Sequence, residues 1–519
     1  MTRSAEEIGA GLAPVRPARA IRRGERIHVV GIGGAGASAA ALLARAAGAL
    51  VSGCDAGGDS TYTPAVVDAG IEIAGRHDAA HVRTDPPPDR LAVSKALTAV
   101  APDHPELAAA RAAGIPVEAW QQVVADAAAG RRLVAIAGTH GKSTSAGWLT
   151  HVLTAAGADP SAFVGALLPA SPSGGVAATA RIGKGPAFVI EADEYAGNFD
   201  AYRPSVIVLT SAEWDHPDVF VDRGAVLDAF ERWIRAAGAQ VTLVANVGDE
   251  GVAEIVERLA GWAGTVVAVR LQEGSARPVG SDGWGSADRP GSAGGTARVI
   301  LGRIGATSPN GTDLELFGLD ALAGSTLVRL PTAGRHNAAN ALGVAGAARV
   351  LGVSPVAIVA GLESFPGIGR RLERKGEAAG VVVYDDYGHH PTAVRETIAA
   401  VRQREPGRRI WAVYEPLTFH RTAALLEGFA DALGGADRVA IADIWAGRDI
   451  DTSSVSATDL ASAITHVRPD LRPATPGSVE ATADWLARHV EAGDAVLVMG
   501  GGRSYRIGER LLANLAGRA

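Results

Sequence analysis

Two glycine-rich runs, each set between an apolar stretch and an alanine-rich one, limit what this chain can fold into. Gly31-Ile32-Gly33-Gly34-Ala35-Gly36 follows the apolar residues 27–30, and Gly138-Thr139-His140-Gly141-Lys142-Ser143-Thr144 follows residues 133–137. A strand that turns through glycine into a helix aims backbone N–H groups beyond the turn, where the helix dipole favours an anion. The pattern predicts alternating strands and helices around mainly parallel sheets, with a phosphate site at each turn.

The alternation continues on both sides of these turns. Residues 50–53, 91–94 and 115–117 read as strands beside the first, with a helix over 106–113. Residues 188–190, 206–210 and 241–245 read as strands after the second, and a helix follows over 338–351. A third alternating set has strands at 381–384, 410–414, 438–443 and 495–499. A length of 519 residues also suits three domains. The predicted division is a loose arm over 1–25, then units over 26–130, 131–371 and 372–519. Within the second, residues 273–295 lack apolar periodicity and read as a flexible surface insertion.

The formal net charge is −7, so no overall electrostatic attraction to nucleic acid or an anionic membrane is expected. Any phosphate must be held locally. Only four lysines occur, Lys95, Lys142, Lys184 and Lys375, which sets apart the one inside a glycine loop. A single cysteine, Cys54, excludes an intramolecular disulfide and a cysteine-based zinc site, and reads as a small packed residue. No stretch has the apolar core of a signal peptide or the length of a membrane span, so a soluble cytoplasmic protein is expected.

Each motif has its own chemistry. The turn carrying Gly31, Gly33, Gly34 and Gly36 could approach a diphosphate, and Asp55 lies where such folds place a ribose-binding carboxylate; a NAD-dependent oxidoreductase and a UDP-binding domain fit it equally. In the second run the backbone of Gly138, Thr139, His140, Gly141 and Thr144 can cradle phosphates. There Lys142 can neutralise a transferring phosphoryl group and Ser143 can offer a hydroxyl to Mg²⁺. The run departs from the general phosphate loop in having Ile136 at the first glycine position.

Glu191-Ala192-Asp193-Glu194 and Glu213-Trp214-Asp215-His216 end apolar strands, where carboxylates suit a hard cation, although a lone His216 could equally be a satisfied histidine. His336-Asn337-Ala338-Ala339-Asn340 opens a helix and could either read an adenine or serve as a cap and solvated face. Gly369-Arg370-Arg371-Leu372-Glu373 offers guanidinium to phosphate or to solvent. Asp385-Asp386-Tyr387-Gly388-His389-His390-Pro391 could bind a metal, hold a nucleotide or move protons.

In this order, the motifs resemble those of the Mur ligase family, from Ile27 to the end of the chain. The resemblance implies an α/β fold of three domains: Rossmann-like N-terminal, P-loop ATPase central and Rossmann-like C-terminal. It implies ATP and Mg²⁺ (or Mn²⁺) as cofactors and an acyl-phosphate intermediate that an amine attacks. The members most similar in pattern join L-alanine to UDP-N-acetylmuramate, and the absence of a lysine between His216 and Gln240 fits them; a relative that attaches a ready-made peptide is the alternative.

Carried over by residue, Lys142, His216 and Arg371 would be catalytic, and Ser143, Glu191 and His216 would hold metal. ATP would meet the loop Gly138 to Thr144, His336, Asn337, Asn340, Arg371 and Asp386. The UDP-sugar would meet Gly31, Gly33, Gly34, Gly36, Ser38, Asp55 and Ser94, and the amino acid Tyr387, His389 and Arg421. The chain departs from the family pattern at Leu417 and Thr418, at Lys95, and at Arg503-Ser504-Tyr505.

Overall fold

Strands rich in Val, Ile, Leu and Ala bury both faces when helices cover a parallel sheet. Arg90–Val93, Val206–Leu209 and Asp494–Gly500 are buried at every position. The computed structural model describes residues 3–170, 175–272, 298–319, 324–447, 449 and 451–517, and it places the strands in three sheets. The expected insertion at 273–295 lies outside the described residues.

The first sheet is parallel throughout, in the order Glu72–Ala74, Leu50–Cys54, Arg26–Val30, Arg90–Val93, Val117–Ala119. Chain order reverses beside Arg26–Val30, the place where sheets of this kind open a ligand crevice. The second sheet has ten strands. Its centre is parallel, with Arg132–Ala137 between Val206–Leu209 and Ala187–Glu191. Antiparallel strands close both of its edges, which the sequence pattern did not indicate. Thr326–Leu330, at one edge, is only half buried, so its apolar signal is weak. The third sheet is parallel apart from the edge strand Glu373–Ala378.

One apolar cluster runs from Ile27 and Val29 in the first sheet through Val123 to Phe163, Phe188 and Ile190 in the second. Trp120 stands edge-on to Phe163 at 5.3 Å. These two units are therefore fastened by a shared core, whereas the third sheet has its own apolar layer on each face.

The N-terminal segment is not the loose arm that its scattered charges suggested. Arg16 reaches Glu118 at 2.9 Å and Asp126 at 2.7 Å, Arg19 reaches Glu25 at 2.6 Å, and Ile8 is buried. The buried Arg90 completes the set, 2.6 Å from both Glu118 and Asp126. Carboxylates gathered around Arg90 need further cations to be neutral, and Arg16 and Arg19 supply them. Among the described residues no helix is long and apolar enough to cross a membrane.

Candidate active site

The second glycine turn joins Arg132–Ala137 to the helix Lys142–Ala155. Gly141 has φ +78°, and a Cβ there would lie 2.4 Å from Asn340 Oδ1, so glycine meets two demands at once. The turn therefore sits against the helix Arg335–Val350, which carries His336, Asn337 and Asn340. A cleft of about 840 Å³ opens here. It is lined by His140, Gly141 and Thr144 from the turn, by His336, Asn337 and Asn340, by Arg371 at the end of the second unit and by Asp386 from the third. Eight of the twelve residues expected to meet ATP line this space, which is large enough for a nucleotide; Gly138, Thr139, Lys142 and Ser143 are not part of its lining.

Arg371 crosses to the turn itself, its Nη2 donating to Ser143 Oγ at 2.7 Å. Asp386 accepts from the N–H groups of Leu372 and Gly388, both at 2.7 Å, and so fixes the backbone that delivers Arg371. Tyr387 places its ring 5.1 Å from the Arg371 guanidinium and 4.9 Å from that of Arg370.

Lys142 points to the acidic end of Ala187–Glu191. Its Nζ is 2.9 Å from Glu194 and 3.7 Å from Asp193. Burial disfavours the ammonium, but these carboxylates hold its pKa above the usual lysine range. Burial pushes the Glu194 carboxyl up to about 7 despite the opposing Lys142 charge. The ligand atoms of Asp193, Glu194 and His216 lie within 4.8 Å of one another. Glu191, at the end of its strand, accepts from the Gly165 N–H at 2.7 Å, and its charge also acts on Lys142. Asp193 and Glu194, in the loop that follows, stand beside Lys142 and His216.

His216 adopts φ +55°, an uncommon conformation for a residue with a side chain. Its Nδ1 lies 2.9 Å from Arg421 Nη2, and Arg421 Nε lies 2.9 Å from Asp215 Oδ1. Burial would raise the Asp215 carboxyl, but Arg421 and His216 hold it well below the usual range. His389 is packed beside this group; burial, aided by Arg421, holds its imidazole well below the usual range. Arg421 was expected to be open to an amino acid, yet it is 2 % exposed and bound to the central unit.

Glu213, which the sequence placed in a motif suited to a hard cation, makes a second link between the units. It accepts from Thr392 Oγ1 at 2.6 Å and lies 3.6 Å from His140 and 3.8 Å from His390. Burial would raise its carboxyl, but the His140 and Thr392 hydrogen bonds hold it at about 2.

At the first turn, Gly33 donates its N–H to Asp55 Oδ2 at 2.9 Å and Gly31 has φ +73°. Asp55 therefore braces the turn from the neighbouring strand. Two residues of the set do not face the turn. Ser38 is fully buried, paired with Ala35 O and Thr179 Oγ1, both at 2.9 Å, because it lies on the helix face that meets the second unit. A Cβ on Gly36 would strike the Trp120 ring at 2.2 Å, which gives this glycine a packing reason. Ser94 sits at the N-cap of Lys95–Val100, and Lys95 donates to Ala196 O and Gly197 O at 2.9 and 2.8 Å.

The departures from the family pattern also take definite places. Thr418 has φ +63°, and its N–H donates to Trp445 O at 2.9 Å. Ser504 is buried and accepts from Arg370 Nη2 at 2.9 Å.

Known proteins share this arrangement. Residues 26–132 match the Mur ligase family catalytic domain, 136–348 the Mur ligase middle domain, and 370–502 the Mur ligase glutamate ligase domain. The UDP-N-acetylmuramate–L-alanine ligase of Frankia casuarinae is 36% identical over 95% of this chain and 98% of its own. That of Kineococcus radiotolerans is 38% identical over 95% and 97%. Among solved structures, the UDP-N-acetylmuramate-alanine ligase of Thermotoga maritima superposes with a TM-score of 0.74 at 21% identity, covering 95% of this chain and all of that one. A murein peptide ligase from Psychrobacter arcticus gives 0.66 at 24% identity, covering 95% and 99%. At these identities the structural likeness speaks for the fold, while the sequence relatives and the domain matches together speak for descent: the chain belongs to the Mur ligase family.

Proposed function

We propose that this protein is an ADP-forming ligase that joins L-alanine to UDP-N-acetylmuramate in the synthesis of peptidoglycan precursors. The observation that carries this reading is the cleft where the glycine turn, the His336–Asn340 face, Arg371 and, from the third unit, Asp386 converge. The units correspond to a UDP-sugar domain over 26–130, an ATP domain over 131–371 and an amino-acid domain over 372–519.

The reaction is the family's, placed on these residues. A carboxylate oxygen of the sugar attacks the γ-phosphorus of ATP, forming the O–P bond of an acyl phosphate as ADP leaves. The uncharged amine of alanine adds to the carbonyl carbon, and the tetrahedral intermediate expels phosphate to leave the amide. Lys142, fixed at the helix N-terminus, neutralises charge growing on the transferred group, and Arg371 reaches the phosphates from the opposite wall. His336, Asn337 and Asn340 hold the adenine. His389, half-buried beside Arg421, is held toward its uncharged form, so it can hydrogen-bond the incoming amine without repelling it.

Mg²⁺ or Mn²⁺ suits the oxygen-rich donors near Lys142, and Ser143, Glu191 and His216, with Asp193 and Glu194 beside them, would hold it. When bound, the ion neutralises phosphate oxygens. Exhaustive chelation is expected to abolish phosphate release, and Mg²⁺ or Mn²⁺ added back is expected to restore it. Full turnover in chelator would remove the metal from the reaction.

The assignment is tested by calorimetry and by phosphate release from ATP. UDP-N-acetylmuramate should bind and NAD should not, because both oxygens of Asp55 are already engaged, by the N–H groups of Gly33 in the turn and of Gly57, and are not free for a dinucleotide's ribose. L-Alanine should support release better than a tripeptide. Tight NAD binding without UDP-sugar binding would favour an oxidoreductase, and preference for the tripeptide a peptide ligase.

A further inference from the structure

Six side chains with metal-ligating atoms converge outside the lining of the ATP cleft, around the strands that lead into the first glycine turn. They are His28, Cys54, His77, His81, His104 and Glu106, which include the chain's only cysteine and four of its 13 histidines. They come from the strand Arg26–Val30, the end of Leu50–Cys54, the loop and short helix after Glu72–Ala74, and the start of Pro105–Ala112. The fold brings together residues scattered over 79 positions, from 28 to 106.

Glu106 is the centre of the group and is fully buried. Its Oε1 lies 3.4 Å from His28 Nε2, 3.1 Å from Cys54 Sγ and 2.5 Å from His81 Nδ1. Its Oε2 lies 3.6 Å from His77 Nδ1 and 3.8 Å from His104 Nδ1. Ligand atoms around a tetrahedral ion with bonds of ~2.0–2.3 Å stand roughly 3.3–3.8 Å apart, so His28 and Cys54 already approach that spacing.

Hydrogen bonding within the protein does not satisfy the group. His28 is 2 % exposed, its Nδ1 is tied to Ser52 Oγ at 2.9 Å, and its Nε2, facing Glu106, has no hydrogen-bond partner. Both ring nitrogens of His104, 7 % exposed, are also without one. Buried imidazole nitrogens are seldom left so. An imidazole fixed through one nitrogen and aimed with the other is how a histidine ligand is usually held.

We propose that His28, Cys54, His81 and Glu106 form a structural Zn²⁺ site. Thiolate, imidazole and carboxylate together suit a cation of borderline softness in fourfold coordination, and they suit Mg²⁺ poorly. His77 and His104 flank the site, with His77 Nδ1 3.2 Å from Cys54 Sγ. The ion would tie four segments of the first unit together. It would also steady the glycine turn, because Cys54 O accepts from the N–H groups of Gly31 and Ile32 at 2.8 and 3.1 Å. The lone cysteine still excludes a cysteine-based zinc site; this one is mixed, with Cys54 its single thiolate.

The test uses the full chain in excess Mg²⁺, stripped of other metals and titrated with Zn²⁺ against a chromophoric chelator. About one Zn²⁺ per chain should bind, and Co²⁺ in its place should give tetrahedral bands with thiolate-to-metal charge transfer. Cys54→Ser should abolish the charge-transfer band and weaken Zn²⁺ binding at least about a hundredfold, beyond the ~10–100-fold loss typical of outer-shell changes. His81→Asn, at a partly exposed position, should weaken it likewise, and His466→Ala should not. Zn²⁺ should raise the Tm of the wild type and of His466→Ala alone. Failure to bind Zn²⁺, or equal affinity in the wild type and a folded Cys54→Ser or His81→Asn variant, would overturn the proposal.

Discussion

Replacing Lys142 by alanine is expected to lower turnover at least about a hundredfold while leaving UDP-N-acetylmuramate affinity near normal. A preorganised charge removed from a phosphoryl-transfer transition state accounts for about 3 kcal/mol, and that is this factor. The geometry makes the loss specific. Lys142 starts the helix at the turn, and its ammonium lies 2.9 Å from Glu194 rather than in solvent, so no neighbouring lysine can take its place. Its removal leaves Glu194 buried, but that carboxyl is already pushed up to about 7 and can take up a proton, which limits the structural damage. Melting temperature, sugar affinity by calorimetry and single-turnover phosphate release separate folding, binding and chemistry. Near-normal ligation by the folded variant would falsify the role given to Lys142.

How much of this was legible in advance depended on whether the cause was local. The two glycine turns could be read because a strand, a turn with positive φ and a helix follow one another in the sequence, as at Gly31 and Gly141. The central strands were legible because continuous burial leaves a continuous apolar run. What escaped depends on distant partners. Arg16 looked solvated until Glu118 and Asp126 were brought to it. Ser38 belongs to the glycine motif by spacing, yet Thr179, from another sheet, claims its hydroxyl. Glu191 and Glu194 are equivalent as letters, and only the bend of the loop after Ala187–Glu191 decides that Lys142 meets Glu194. Cys54 was read alone, whereas its company comes from positions 28 to 106.

Arg421→Ala is expected to raise the KM for L-alanine about 10–100-fold and to change the KM for ATP little. This range corresponds to losing a charge-assisted hydrogen bond to a carboxylate, about 1.5–3 kcal/mol. The guanidinium cannot act as a free carboxylate receptor, since Asp215 and His216 already hold it. It can still receive the amino acid by sharing a donor, and it fixes His216 in its strained backbone conformation at the seam between the second and third units. Alanine should therefore depend on Arg421 twice, for its own carboxylate and for the alignment of the wall around it. Near Thr418 the chain offers no second cation of the kind the family pattern places there, so the pocket should hold the carboxylate loosely and tolerate glycine or serine, one methyl being worth only about 1–3 kcal/mol. The substitution also strands Asp215, buried at 4 % exposure, and breaking such a pair costs about 3–5 kcal/mol of stability. Arg421→Lys is the companion variant: it keeps the charge beside Asp215 but lacks the planar fork, so it should recover the Tm more fully than the alanine KM. If the KM for alanine is unchanged in Arg421→Ala, or recovers in step with the Tm in Arg421→Lys, Arg421 is a structural ion-pair partner of Asp215, and the amino acid is held elsewhere.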